Sequence, residues 1–249
     1  MTWDIPLFVA FLAAFLRTSA MFLAAPLFGG IGIPIMVRVF FAGAVSLALS
    51  PLIYGNVTTP ETLYDLLSLA FREIAFGLAL GFCVNLVLSA AESAGAFLDM
   101  QIGLGLASLL VPNTEIPTSI LSRFKFMLAL VLLFVTNGHH IMMNALVRSY
   151  TTNSALTLES SLTTLLNGLA SFSMLTLQIA LPVAAASFMV DVAMGIISRA
   201  VPQINILMAG LSAKLLVGIL ALSLVLPALG YGISEAIDTF GNLLNGLLK

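Results

Sequence analysis

Six windows of about 20 predominantly apolar residues dominate the chain, and each is long enough to cross a hydrocarbon layer of about 30 Å as a helix. They run approximately Ile5 to Ala25 (interrupted by Arg17), Val37 to Tyr54, Leu66 to Ala90, Phe126 to Leu146, Leu165 to Val190 and Leu215 to Ile233. The breaks between them carry turn chemistry, as in Phe28-Gly29-Gly30-Ile31-Gly32-Ile33-Pro34 and Gly55-Asn56-Val57-Thr58-Thr59-Pro60-Glu61. Further breaks are expected over Gly103 to Ser122, Ser149 to Ser161 and Ala200 to Ala213. A membrane barrel is disfavoured, because its strands alternate apolar and polar residues over about ten positions and these runs are continuously apolar. The expected fold is all-α: a polytopic, membrane-type helical protein with about six apolar segments, read as one domain over residues 1–249.

Composition narrows the function classes. Charged residues make up 8 % of the 249 positions and hydrophobic ones 60 %, with a mean hydropathy of +1.13. A soluble domain carries about 25 % charge, so the apolar surplus here must meet lipid or other subunits. A net charge of −2 leaves no basic patch to neutralise phosphates, which argues against nucleic acid as a partner. The one cysteine, Cys83, lies in an apolar run and supports neither a disulfide framework nor a thiolate metal site. The first window lacks the basic flank of a secretory signal, carrying Asp4 instead, and is read as a retained helix.

Lys and Arg collect on the cytoplasmic side of short loops. Arg38, Arg123, Lys125, Arg199 and Lys214 fall in or beside alternate breaks, which predicts both termini on the outer side, with Arg17 and Arg72 outside the pattern. The GxxxG string Gly77 to Gly81, with Gly95, Gly103, Gly105, Pro182, Gly195 and Gly218, predicts close helix packing and bent helices.

The polar residues within apolar stretches are costly at membrane depth and should face protein or a pore. They are Arg17, Arg72, Glu73, Asn85, Glu92, Asp99, Asp191, Arg199 and Lys214. Arg72 and Glu73 fall near a helix start and are compatible with an interfacial position. Asp191 and Arg199 are eight residues apart, on one helical face but out of mutual reach, so structural ion pairs with another helix or subunit are expected. His139-His140 are adjacent and point apart on a helix, with no further ligand nearby, so no metal site is expected. HExxH, GxSxG, GxxxxGK[ST] and GxGxxG are absent, and neither catalysis nor a cofactor is expected.

The stretch Gly95 to Asn113 is apolar, glycine-punctuated and closed by Pro112-Asn113, and it should lie against protein or line a cavity. Gly103 and Gly105 permit unusual backbone angles; Leu109, Leu110 and Val111 supply apolar bulk; Pro112 stops a helix and Asn113 favours a turn. The residues alone read as a packed connection between helices.

Several strings carry a resemblance to a known family. They are Gly95-x-Phe97 with Met100-Gln101-x-Gly103-Leu104 and Pro112; Asn137-Gly138-His139; Leu181-Pro182; and Gly195-x-x-x-Arg199-x-x-Pro202-Gln203, continued by Gly210 and Gly218. In order and spacing the chain resembles, over nearly its whole length, the family of the flagellar export-gate protein FliR and its injectisome counterpart SctT. Ser212 departs from the family pattern, which has proline there. The resemblance implies bent helical hairpins in a hetero-oligomeric export gate of the bacterial inner membrane and flagellar basal body, much of it above the bilayer plane. The implied partners are FliP-like, FliQ-like and FlhB-like subunits and unfolded export substrates. It also implies a channel plug over roughly Gly103 to Pro117, while Asp191, Arg199 and Lys214, with Pro202, are expected to be structural polar or assembly residues. An injectisome subunit and an autonomous secondary transporter, which would gather charges at a midplane site of broken helices, are the alternatives.

Overall fold

The computed structural model describes residues 5–26, 33–55, 57, 59–104, 120–151, 158–201, 203, 208–224 and 231, the side chains of 151, 158–162, 164 and 165 excepted. Among them stand seven helices and no strand: α1 (Ile5–Ala24), α2 (Ile35–Ile53), α3 (Leu63–Ile102), α4 (Ile120–Val135), α5 (Gly138–Thr151), α6 (Leu158–Ala200) and α7 (Met208–Leu224). Four of these (α1, α2, α3 and α6) are long and apolar enough to cross a membrane, and the α4–α5 pair qualifies as one broken span. The all-helical, polytopic expectation holds.

Local chemistry explains the ends. At α2, Pro34 sits in an extended conformation and its carbonyl accepts the amide of Val37 at 3.0 Å. α3 opens on a reciprocal cap. The Asp65 amide donates to the Thr62 hydroxyl oxygen at 3.2 Å, while the Asp65 carboxylate accepts the Thr62 amide at 3.0 Å. No proline follows until Pro112, and α3 runs to 40 residues.

Several boundaries differ from the apolar windows. α3 continues past Ala90 to Ile102, so residues 95–102 of the expected irregular stretch are helix. The fourth window is two helices, broken at Thr136–Asn137, where Asn137 takes φ 59° and its carbonyl accepts the amides of His140 and Ile141 to start α5. The expected break from Ala200 to Ala213 is shorter, because α7 begins at Met208.

The chain divides into two compact units. The first comprises Met1–Leu86, Asn137–Gly168 and Asp238–Lys249; the second, Val87–Thr136 and Leu169–Ile237. In the first, α1 buries Val9, Ala10, Ala13, Ala14, Arg17, Thr18 and Met21, a face with helical spacing and small side chains. The small face lets α3 come close: a Cβ on Gly77 would collide with the Arg17 carbonyl oxygen, and one on Gly81 would stand 2.5 Å from that of Met21. The GxxxG string is thus the seam between α1 and α3. On another side of α1, the rings of Phe22 and α2's Phe41 stack with centroids 5.5 Å apart.

In the second unit the core is Ala94, Leu98, Ile102, Leu121, Ile179, Ala180, Val183 and Leu222, drawn from α3, α4, α6 and α7. Two glycines again set the distances. A Cβ on Gly95 would strike the α4 backbone at Ser122, and one on Gly218 would lie 2.6 Å from Cγ1 of Ile102.

Candidate functional site

The polar residues inside the apolar helices fall into three clusters, and most are consumed by each other. In the first unit Arg17 of α1 and Glu73 of α3 are 2 % and 1 % exposed and form an ion pair, Nε to Oε2, at 2.7 Å. The guanidinium also donates to the Ser149 carbonyl at 3.0 Å and the Ser149 hydroxyl at 2.6 Å. Its faces are covered by Tyr150, whose ring centroid is 3.7 Å away, and by Phe76 at 4.7 Å. The Tyr150 hydroxyl shares its proton between Glu73 Oε2 at 3.0 Å and the Ala13 carbonyl at 3.2 Å. Arg72, exposed, stands 3.7 Å from the other Glu73 oxygen. A buried charge is tolerated when it is paired and its remaining hydrogen-bond capacity is used. Here α1, α3 and α5 are joined by one such network. Glu73 is therefore a core residue that faces protein, as expected of a charge within an apolar stretch, and the alternative of an interfacial position does not apply to it.

In the second unit Asp99, 2 % exposed, works with both its backbone and its side chain. Its carbonyl accepts the Gly103 amide at 3.2 Å, closing the last turn of α3. Its carboxylate accepts the amides of Leu121 at 3.0 Å and Ser122 at 3.4 Å, capping the first turn of α4. The Ser122 hydroxyl donates back to the Glu92 carbonyl at 3.0 Å. Lys125, one turn further along α4, is 2 % exposed, and its ammonium finds no hydrogen-bond partner among the described residues; Asp99 supplies the opposing charge. One residue thus holds the described ends of the connection between α3 and α4. Gly103, with φ 89°, turns the chain out of α3 as its lack of a Cβ allows.

The third cluster is at the end of α6. Lys214 of α7 meets Asp191 at 2.7 Å. Asp191 is thereby paired with a residue of another helix, in keeping with its being out of reach of Arg199 on its own helix. Arg199 is exposed and makes no ion pair among the described residues. It lines an open groove of about 640 Å³ with Val192, Gly195, Ile196 and Ala200.

Of the expected plug, Gly103 is described, whereas Gly105, Leu109, Leu110, Val111, Pro112 and Asn113 lie outside the described residues, as does Pro202. The His139 and His140 rings tilt toward each other with centroids 4.3 Å apart. No group of three metal-ligating side chains occurs among the described residues. Residue-level reading missed the Arg17–Glu73 partnership and the capping role of Asp99. The signal was present only as two opposite charges in separate apolar windows and an acid just before a glycine.

Residues 8–240 match the family described as bacterial export proteins, family 1. The flagellar biosynthetic protein FliR of Bacillus subtilis is 30 % identical over 96 % of this chain and 96 % of its own length. That of Escherichia coli is 29 % identical over 94 % of this chain and 90 % of its own length, and that of Caulobacter vibrioides 32 % over 84 % and 86 %. These relatives carry the name of a biosynthetic component, not of an enzyme. A match that spans both units, joined to an apolar, all-helical fold whose glycine contacts fall at the strings quoted above, places the chain in the FliR family of bacterial export proteins, a membrane component of flagellar protein export.

Proposed function

We propose that this chain is a structural and gating subunit of the flagellar protein-export channel of the bacterial inner membrane, without catalysis of its own. The observation that carries the reading is its likeness to FliR across nearly the whole of both chains, which extends to every relative named above. The same observation favours the flagellar over the injectisome assignment. The charge clusters speak against an autonomous transporter, because Arg17 with Glu73 and Asp191 with Lys214 are already paired. In this reading residues 1–249 work as one export-gate domain beside FliP-like, FliQ-like and FlhB-like subunits, in the basal body, and unfolded flagellar proteins pass through the assembly.

The segment Gly103 to Pro117 serves as the plug of that channel. Support comes from its apolar bulk at Leu109, Leu110 and Val111, which excludes water from a narrow pore. The Asp99 tie adds support, since it allows the segment to be altered without unpinning α3 or α4. Deleting Leu109 to Val111 should leave the complex assembled while ions or small molecules leak across the inner membrane. Permeability and complex yield are measured in the same strain. An assembled gate that does not leak counts against the plug, and loss of assembly without a leak indicates a simple connector.

A further inference from the structure

We infer that a cavity at the start of α3 binds the headgroup of a zwitterionic phospholipid with a primary ammonium, the amine held by Glu61 and Asp65 and the phosphate by Arg72. The inference goes beyond the export-gate reading and does not depend on it. The cavity measures about 390 Å³ and its lining belongs wholly to the first unit. Its floor is Leu69, buried in a cluster with Val9 and Ala13 of α1. Val57 packs on the same cluster, which brings the segment before α3 back over the helix and makes Thr59 and Pro60 one wall. The other wall is a stripe of α3, Asp65, Ser68 and Arg72, with Glu61 just before the helix on the same line.

The two ends of this stripe carry opposite charge, yet neither acid forms an ion pair with Arg72. Asp65 is fixed by Thr62, which donates its amide at 3.0 Å and its hydroxyl at 2.7 Å to Oδ2. Arg72 stands 3.7 Å from Glu73, too far for a hydrogen bond, and its guanidinium keeps its donors for a ligand. Complementary charges that share a cavity without meeting suit a ligand that carries a cation and an anion at its own fixed separation. An ammonium brings three N–H donors to the two carboxylates. The Ser68 hydroxyl gives its proton to the Asp65 carbonyl at 2.9 Å and offers its oxygen as a further acceptor. A phosphodiester brings two anionic oxygens to the guanidinium fork. The order along the helix is also that of a phospholipid, ammonium first, phosphate next and acyl chains beyond. Past the cavity, Phe71, Leu78 and Phe82 form an exposed apolar line at i, i+7 and i+11, a surface for a chain. A soluble aminophosphate would satisfy the charges and leave that line unused. The cavity moves with α3, so the lipid is a ligand of the protein and not a mark of how deep the helix sits.

The test uses the full-length chain in the assembly in which it is extracted from membranes. The delipidated assembly is offered phosphatidylethanolamine, phosphatidylcholine or phosphatidylglycerol in mixed micelles, and native mass spectrometry counts the lipid retained. Lipid held elsewhere is common to all variants, so the reading is the difference between them. Phosphatidylethanolamine should be retained about tenfold better than the other two, because choline has no N–H donor and glycerol no positive charge. Arg72→Gln should lower that retention about tenfold, with Arg72→Lys milder. Glu61→Lys should reverse the preference toward phosphatidylglycerol, a gain that a misfolded chain does not produce. The selectivity of the unaltered chain is read whether or not a variant accumulates. Equal retention of the three lipids overturns the inference. So does a phosphatidylethanolamine preference that survives both Arg72→Gln and Glu61→Lys. Displacement of the lipid by an equal concentration of soluble glycerophosphoethanolamine overturns it too, since the acyl chains would then contribute nothing.

Discussion

Arg17 shows how a residue that is expensive in isolation becomes a joint. Its charge is met by Glu73, its Nη1 donors by Ser149 and its faces by two aromatic rings. Removing one partner of such a pair costs about 3–5 kcal/mol, whereas replacing both by apolar groups of similar volume can be neutral. Glu73→Gln should therefore lower the thermal midpoint of the detergent-extracted assembly sharply, and Arg17→Met combined with Glu73→Met should recover much of the loss. Equal loss in the single and double variants would contradict the pairing. Tyr150→Phe, which removes a hydrogen bond to a charged acceptor, should cost about 1.5–3 kcal/mol in the same measurement. That these residues face protein was legible from their polarity in apolar windows. Which of them meet was not, because Arg17 and Glu73 lie 56 positions apart and no periodicity links two helices. The same gap explains Asp191, which shares a face with Arg199 yet binds Lys214 on α7.

At the level of elements, the apolar windows located the helices because a continuous apolar run of that length has few other fates. They did not locate the ends. α3 outlasts its window since Glu92 is exposed and Asp99 finds backbone donors, so neither polar residue forces a stop. The fourth window breaks at Asn137 because asparagine tolerates the left-handed conformation, a cost hydropathy does not register. Glycines separate in the same way. Gly77, Gly81 and Gly195 look alike in sequence, but two are seams and one is open. Gly81→Ala should force α1 from α3 and reduce the amount of chain recovered from membranes, while Gly195→Ala should leave that amount unchanged. Equal recovery of the two variants on immunoblots would contradict the α1–α3 seam.

For the molecule as a whole, large apolar side chains remain exposed along several helices, among them Phe40, Phe71, Leu181 and Met189. Isolated monomers seldom tolerate such surfaces in water, and lipid or other subunits must cover them. Expression without the other gate subunits should yield aggregated or degraded chain after detergent extraction; a monodisperse, protease-resistant monomer would contradict dependence on partners. The two longest helices carry a different consequence. α3 and α6 have 40 and 43 residues, about twice the number that crosses about 30 Å of hydrocarbon. A layer that takes up only half of such a helix's residues does not fix which half it takes. Depth is then settled during biogenesis by whichever protein neighbours arrive, and reporter fusions along α3 should map one topology in cells making this chain alone and another once the gate is complete.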